Sequence, residues 1–173
     1  LEKAGLAAKE SLQNSIAIGG INLVFTLVGM YLIDRMGRKQ LMLIGSLGYI
    51  ISLTLVSYAY YSGASPTFLM TFLLAFIASH AIGQGAVIWV FISEIFPNRV
   101  RAFGQAWGSG IHWIFAATVT LLGPVVIDIF SASPWPIFAI FSGMMMLQLL
   151  FVLFMMPETK GVPLEEIERR LIK

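Results

Sequence analysis

Residues 83–101 read GQGAVIWVFISEIFPNRVR, and this stretch joins three signals that decide the fold. Two glycines loosen an apolar helix, Trp89 follows within it, and a proline and charged residues close it. A helix that is weakened inside a membrane exposes backbone polar groups, which are tolerated only where they are buried in protein or line a cavity. The stretch therefore predicts a membrane-spanning helix with a site beside Trp89.

The composition is that of an integral membrane protein. Of 173 residues, 58% are hydrophobic and 12% charged, against about 25% charged in a soluble domain. The net charge of +2 comes from residues at the ends of the apolar segments, so no nucleic-acid partner is expected. The sequence has no cysteine and two histidines, from which we expect no metal site and no cofactor.

The lengths of the apolar segments predict five spans, because one crossing takes about 20 apolar residues. Turn residues and tyrosines around 58–66 divide the longest segment in two. The spans are expected at about 11–33, 40–61, 66–96, 102–127 and 134–156, so that residues 11–157 form one transmembrane bundle. Residues 1–10 are expected to form a loop, and residues 158–173 a tail with an amphipathic helix.

The basic residues predict the orientation of the bundle. All of them except Lys3 and Lys9 fall on the same expected side of the membrane, which the positive-inside rule makes cytoplasmic. The amino end of the chain is therefore expected outside and the carboxyl end in the cytoplasm. An odd number of spans that starts in a loop without a start methionine leads us to expect further chain upstream.

Three polar or aromatic residues of the third span are candidates for one site. His80 and Gln84 share a helix face, but Trp89 is half a turn out of phase with His80 on a straight helix. All three can line one cavity if the helix unwinds at Gly83 and Gly85. Trp89 is either ordinary packing or a platform that stacks on a sugar, and local sequence favours neither.

Two further polar residues are expected at membrane depth. Asn22 lies on one face of the first span with Ser15, Gly19 and Thr26, and this face is expected to point into protein. Asn22 then needs a polar ligand, or serves as a hydrogen bond between helices. His112 in the fourth span is a candidate because an intramembrane histidine is commonly functional, although a bond to a neighbouring helix is the alternative.

Two clusters of acidic and basic residues face the same expected cytoplasmic surface. The first follows span one at residues 34–39, and the second contains Glu94, Pro97, Arg99 and Arg101 at the end of span three. Such clusters can hold helix ends together in one conformation and release them in another. The alternative is that they set the topology and cap the helices, with little effect on stability at an exposed surface.

Three stretches together resemble the sugar porter family of the major facilitator superfamily. They are DRMGRK at 34–39, EIFPNRVR at 94–101 and PETKG at 157–161, in that order. The resemblance covers nearly the whole chain and matches helices eight to twelve of a twelve-helix transporter. It implies an all-α polytopic fold, here five helices of the carboxyl-terminal half, with sugar bound between two halves and alternating access.

The resemblance also implies roles for individual residues. Trp89 corresponds to the family's tryptophan that packs against the sugar ring. His112 falls where relatives carry a sugar-bonding Gln or Asn, and Asn22 matches a polar position that can face the sugar. The implied substrate-binding residues are Trp89, His112, Asn22, Gln84, His80 and Gly85. The implied cytoplasmic charge network is Asp34, Arg35, Gly37, Arg38, Glu94, Pro97, Arg99, Arg101 and Glu158.

The chain departs from the family pattern at the expected site. Gln84, Ala86 and Ile88 stand where the family commonly has prolines around the glycines, and His80 stands where relatives usually have an aromatic residue. Histidine and glutamine add hydrogen-bond donors and acceptors, which favours a different pattern of sugar hydroxyls. These departures bear on the substrate rather than on the class of protein.

The expected function is transport of a hexose or pentose across the cell membrane, with or without proton symport. The implied partners are a monosaccharide, protons if they are coupled, the lipid bilayer and an amino-terminal half. A bacterial inner membrane is the location that the resemblance favours. The alternatives are a sugar sensor or scaffold on the same fold, or an inert fragment. An enzyme is not expected, since His80 and His112 have no acidic partner inside the membrane. The fifth span, with Gln148, is expected to face lipid or pack against other helices, with no role in binding or catalysis.

Overall fold

The computed structural model describes residues 8–162, which form helices and turns with no β-strand in that range. The helices are α1 (Ala8–Met36), α2 (Arg38–Ser62), α3 (Pro66–His80), α4 (Ala86–Glu94), α5 (Arg101–Ile129) and α6 (Trp135–Phe154). A π-helical turn, Ala81–Gly85, joins α3 to α4 without a break. Counting α3 and α4 as one, five helices are long and apolar enough to cross a membrane. The predicted all-α polytopic fold is confirmed.

The ends of the chain differ in detail from the expected limits. Helix α1 begins at Ala8, inside the expected loop 1–10, because helical hydrogen bonding continues beyond the apolar segment from which the limit was set. Residues 1–7 lie outside the described part of the chain. Residues 158–162, at the start of the expected tail, form turns and irregular chain, and residues 163–173, where the amphipathic helix is expected, also lie outside the described part.

Short turns of specific chemistry separate the first three helices. Gly37, with a φ of 98°, is the whole connection between α1 and α2. Gly63 ends α2 in the left-handed conformation that favours glycine, with a φ of 65°. Ser65 then caps α3 by accepting the backbone N–H of Phe68 at 3.3 Å, and Pro66 occupies the first helical turn.

Helix α2 is the centre of the bundle, and α5 lies at its margin. Helix α2 packs most extensively against α6 and α3, and half of its most apolar stretch is buried. The buried core around it consists of Ile33, Leu41, Met42, Val87, Phe91, Val152 and Met156. No residue of the most apolar stretch of α5 is buried, and this helix leans mainly on α4. The described chain therefore leaves one helix largely uncovered.

The face of α1 that we expected to point into protein is covered by the described chain at one end only. Gly19 and Asn22 are exposed. Gly29 follows Asn22 by seven residues and lies on the same face, and a Cβ atom there would lie 3.0 Å from the carbonyl oxygens of Ala81 and Ile82. Periodicity identified the face, but it did not indicate which part of its length packs.

Candidate functional site

The π-helical turn brings the expected site residues of the third span to one side. A π-helical turn holds one residue more than an α-helical turn, so the nine residues from His80 to Trp89 rotate about as far as eight residues of α-helix. The two side chains are therefore roughly 80° apart around the helix axis, instead of 180°. We expected the helix to unwind at Gly83 and Gly85; it widens and stays helical. The turn lies close to α2, since a Cβ on Gly83 would lie 2.8 Å from the Cα of Gly45.

A cavity of about 390 Å³ lies beside this turn. Its walls come from α2, the third span, α5 and α6, and are Met42, His80, Gln84, Gly85, Ile88, Trp89, His112, Gln148 and Phe151. The structure thus brings together five of the six residues that we expected to bind substrate. Asn22 is the exception, since it lies exposed on α1 and does not line this cavity.

Aromatic and imidazole rings form one side of the cavity. The rings of Trp89 and His112 meet edge to face, with centroids 5.0 Å apart. Trp113 extends the group, 6.5 Å from Trp89. The Trp89 side chain remains 41% exposed, so part of its indole is free to contact a ligand. An apolar ring beside imidazole donors and acceptors suits a ligand that has both an apolar face and hydroxyl groups.

Ser46 joins two carboxamides that line the cavity. Its hydroxyl is fully buried and donates to the backbone carbonyl of Met42 at 2.7 Å. The hydroxyl oxygen therefore accepts, and it receives Nε2–H bonds from Gln84 at 3.2 Å and Gln148 at 3.3 Å. These bonds fix the direction of both amides. The Oε1 atom of Gln84 is buried without a hydrogen-bond partner among residues 8–162.

His80 also has a polar partner on α2. The Tyr49 hydroxyl and His80 Nδ1 are hydrogen bonded. Tyr49 is buried, and its ring packs against Phe76 with centroids 4.9 Å apart. Tyr49 therefore fixes the imidazole of His80 by a hydrogen bond, although Tyr49 itself does not line this cavity.

A second cavity of about 390 Å³ adjoins the first and is far more apolar. Its lining residues are Tyr49, Leu53, Phe76, Gln84, Phe138, Phe141, Met145 and Gln148. Gln84 and Gln148 line both cavities, so the amides held by Ser46 stand at their boundary. Since polar ligands need several polar partners, the first cavity is the better candidate for a polar ligand.

Sequence reasoning missed Gln148, which lines the first cavity, and two residues of α2 that hydrogen bond to its lining residues. Gln148 is the lone amide of an apolar span, and its isolation at membrane depth was a signal that we assigned to packing. Ser46 and Tyr49 lie three apart on α2 and share a helix face with Met42. Nothing in the sequence showed that this face meets both the third span and α6.

The predicted charge residues meet at one end of the bundle. Arg38 is buried and forms a two-pronged pair with Glu94, through Nε to Oε2 at 3.0 Å and NH2 to Oε1 at 2.7 Å. Its NH1 also donates to the carbonyl of Ile33 at 3.1 Å and lies 3.2 Å from Asp34. Thr159 donates to the same Glu94 carboxylate at 2.6 Å. We call the group of Arg38, Glu94, Glu158 and Thr159 the charge cluster.

Glu158 in this cluster caps the start of α2. Its carboxylate accepts the backbone N–H groups of Arg38 at 2.9 Å and Lys39 at 3.1 Å. It also accepts those of Thr159 and Lys160, each at 3.0 Å. A carboxylate at a helix amino terminus is favoured because it satisfies free N–H groups and meets the positive end of the helix dipole.

Gly37 makes this cap possible. A Cβ atom at this position would lie 2.6 Å from Oε2 of Glu158. Its φ of 98° is also one that residues with a side chain rarely adopt. Glycine at position 37 therefore meets two demands at once, a reversal of the chain and the close approach of a carboxylate.

The other predicted charge residues are less engaged. Arg35 lies with its guanidinium 4.2 Å from the ring centroid of Tyr31. The carbonyl of Pro97 accepts the N–H of Val100 at 3.0 Å in the turn between α4 and α5, where Arg99 is exposed. Arg101 has buried Nε and NH2 atoms without a hydrogen-bond partner among the described residues.

Comparison with known proteins decides the family. Residues 1–171 match the family described as "Sugar (and other) transporter". The chain belongs to the sugar porter family of the major facilitator superfamily. The resemblance inferred from the three motifs is therefore confirmed. It places this sugar porter chain in a family of transporters that are integral to membranes.

Individual relatives agree with this assignment. The chain is 34% identical over 172 residues to the glucose transporter GlcP of Staphylococcus epidermidis, an overlap that covers 98% of this chain and 38% of that protein. It is 32% identical over 172 residues to the D-xylose-proton symporter of Escherichia coli, covering 95% of this chain and 34% of that protein. The sugar porter chain thus spans less than two fifths of these relatives.

Solved structures show the same fold. A structure of the proton:xylose symporter XylE bound to 6-bromo-6-deoxy-D-glucose matches with a TM-score of 0.86 at 32% identity, over 96% of this chain and 36% of that one. A double tryptophan mutant of XylE matches with a TM-score of 0.89 at 31% identity, over 95% and 35%. The five spans of the sugar porter chain are therefore arranged as in part of a complete transporter.

Proposed function

We propose that this chain is the carboxyl-terminal part of a transporter that moves a monosaccharide by alternating access. The observation that carries the proposal is the first cavity, in which Trp89, His80, His112, Gln84 and Gln148 converge from three spans. The names of the relatives, which include glucose, xylose and arabinose transporters, support a hexose or pentose as the substrate.

The chemistry of the cavity fits a sugar. A pyranose ring presents an apolar face of C–H groups and a rim of hydroxyls that both donate and accept. The indole of Trp89 offers an apolar surface, while the imidazoles and carboxamides offer donors and acceptors to the rim. In this proposal these residues form one wall of the site, and an amino-terminal half supplies the other. Asn22 contacts the sugar only if that half brings the ligand towards α1.

The charge cluster is proposed to be the latch of the transport cycle. It ties together the start of α2, the end of α4 and the segment after α6 through Arg38, Glu94, Glu158 and Thr159. A rocking motion that separates these helix ends has to break several charge-assisted bonds together, which gives two distinct states. The contacts of the cluster support this role, with Asp34, Arg35, Arg99 and Arg101 at its margin.

The proposed setting is the plasma membrane of a bacterium, with the amino end of the chain outside and the carboxyl end in the cytoplasm. The concentration of basic residues at the end that carries the charge cluster supports this orientation. Proton symport is supported by relatives named as proton symporters. Transport, and not catalysis, is the proposed activity, with the lipid bilayer as the medium.

Uptake and binding should be measured together on the complete native polypeptide that contains this chain, reconstituted in vesicles. Labelled D-glucose, D-xylose and L-arabinose are suitable probes. We expect one of them to accumulate, and an uncoupler to abolish accumulation if protons are coupled. Binding without uptake would instead support a sugar sensor on the same fold. Neither binding nor uptake of any probe would overturn the proposal.

A further inference from the structure

The proposed transport function does not account for the hydrogen bond between Tyr49 and His80. Tyr49 lies on α2, is 8% exposed, and lines the apolar second cavity. His80 is exposed and lines the first cavity. A buried phenol thus reaches through the helix interface to hold an imidazole that a ligand can touch. Tyr49 can influence a ligand in the first cavity through His80.

The chemistry of the two groups decides which one donates. A neutral phenol is a stronger acid than a neutral imidazole, and an imidazole nitrogen without a proton is a better acceptor than a phenol oxygen. The Tyr49 O–H therefore donates to Nδ1 of His80. A neutral imidazole that accepts at Nδ1 carries its proton on Nε2. The bond consequently fixes the tautomer as well as the orientation of the ring.

The protonated nitrogen lies at the cavity. A Cβ atom on Gly85, which lines the same cavity, would come within 3.3 Å of Nε2 and 3.4 Å of Cδ2 of His80. The missing side chain of Gly85 leaves room beside this edge of the ring. The π-helical turn, which ends at Gly85, therefore opens a place where a ligand oxygen can approach Nε2.

We propose that Tyr49 is a positioning residue that fixes His80 as a hydrogen-bond donor at the first cavity, and so selects monosaccharides with an oxygen that accepts a hydrogen bond there. This inference rests on the proposed function and deepens it, since it names a determinant of substrate choice. In the same cavity, one Nε2–H of Gln84 and one of Gln148 donate to Ser46. His80 Nε2 has no hydrogen-bond partner among residues 8–162, so its N–H is a donor that a ligand can use.

The first test is the protonation state of His80. Nitrogen NMR of the complete polypeptide with isotope-labelled histidine distinguishes ring nitrogens with and without a proton, and His80→Phe assigns the signals. We expect wild type to show Nδ1 without a proton and Nε2 with one, and Tyr49→Phe to show a mixture of tautomers. A wild-type Nδ1 that carries the proton, or a tautomer unchanged in Tyr49→Phe, would overturn the proposal.

The second test is a double-mutant cycle on sugar affinity. Tyr49→Phe keeps the buried ring and removes the hydroxyl, so we expect affinity for the transported sugar to fall roughly fivefold, the effect of losing one ordinary hydrogen bond. In the His80→Phe background the same change should have no effect. An equal loss in both backgrounds would mean that Tyr49 acts through helix packing, and the proposal would be wrong.

The third test concerns the donor itself. A fluoro analogue has fluorine in place of one sugar hydroxyl, and a deoxy analogue has hydrogen there. Fluorine accepts a hydrogen bond weakly and donates none, whereas the hydrogen of the deoxy analogue neither accepts nor donates. We expect one ring position at which the fluoro analogue binds about threefold more tightly than the deoxy analogue, as a weak hydrogen bond gives, and we expect His80→Phe to remove this difference. If no position behaves so while the parent sugar binds, the inference fails and the proposed function stands. If no sugar binds at all, both fail.

Discussion

The charge cluster and the first cavity both gather polar side chains from α2 and the third span, but they use them differently. In the charge cluster Arg38 contacts the carboxylates of Glu94 and Asp34 and a backbone carbonyl, and Glu158 accepts four backbone N–H groups. In the first cavity Trp89 and His112 meet through their rings, and the Oε1 atom of Gln84 is buried without a hydrogen-bond partner among residues 8–162. Polar groups that are fully engaged hold helices, and those with spare capacity are able to bind.

This difference predicts that variants of the charge cluster change stability and that variants of the cavity change binding. The largest effect is expected for Arg38→Ala, which leaves the largely buried Glu94 carboxylate without its partner. Removing one member of a buried pair costs about 3–5 kcal/mol, and the partial exposure of Glu94 places the expected loss near the lower end of that range. Thermal unfolding of the purified complete polypeptide measures it.

Arg35→Ala is the matched control for that variant. It removes the same kind of side chain three residues away, but the Arg35 guanidinium lies against the exposed ring of Tyr31, an interaction of about 0.5–1 kcal/mol. If Arg35→Ala destabilised the protein as much as Arg38→Ala does, the cluster would have no special role in holding the helices.

A smaller loss of stability is expected for Gly37→Ala. Its Cβ would meet Oε2 of Glu158 at 2.6 Å in a backbone conformation that alanine disfavours. Gly161→Ala is the control, because Gly161 also has a positive φ, of 68°, but a Cβ atom there would meet no atom of the described residues within 4 Å. Gly37 has a φ of 98° and a ψ of 163°, a conformation that costs residues with a side chain about 1–3 kcal/mol. The contact with Glu158 adds to this cost, so we expect Gly37→Ala to exceed Gly161→Ala in a denaturation experiment. Equal losses would show that the Glu158 cap is readily replaced.

The fold was predictable because membrane burial leaves a strong pattern. Apolar length alone located five helices, and the turn chemistry of Gly63 and Pro66 divided the second span from the third. The two glycines at 83 and 85 indicated where the third span is irregular. The form of the irregularity was not predictable, since it depends on backbone contacts with Gly29 and Gly45 on other helices.

The site was predictable where residues share a helix and less so where helices meet. His80, Gln84 and Trp89 were found from the third span itself. Ser46 and Gln148 were not, because a polar bridge across helices depends on which faces pack, and periodicity does not record that. Asn22 shows the converse, since its face was identified from the sequence but is exposed at Asn22 and buried at Gly29.

The most direct test of the account is monosaccharide binding to the complete polypeptide and its Trp89→Ala variant by titration calorimetry. We predict that the variant keeps the thermal stability of wild type and binds the transported sugar about tenfold more weakly, equivalent to about 1.4 kcal/mol. Trp107→Ala, at an exposed tryptophan of α5 that does not line the cavity, should bind as wild type does. Unchanged affinity in Trp89→Ala would contradict the claim that the first cavity is the sugar site.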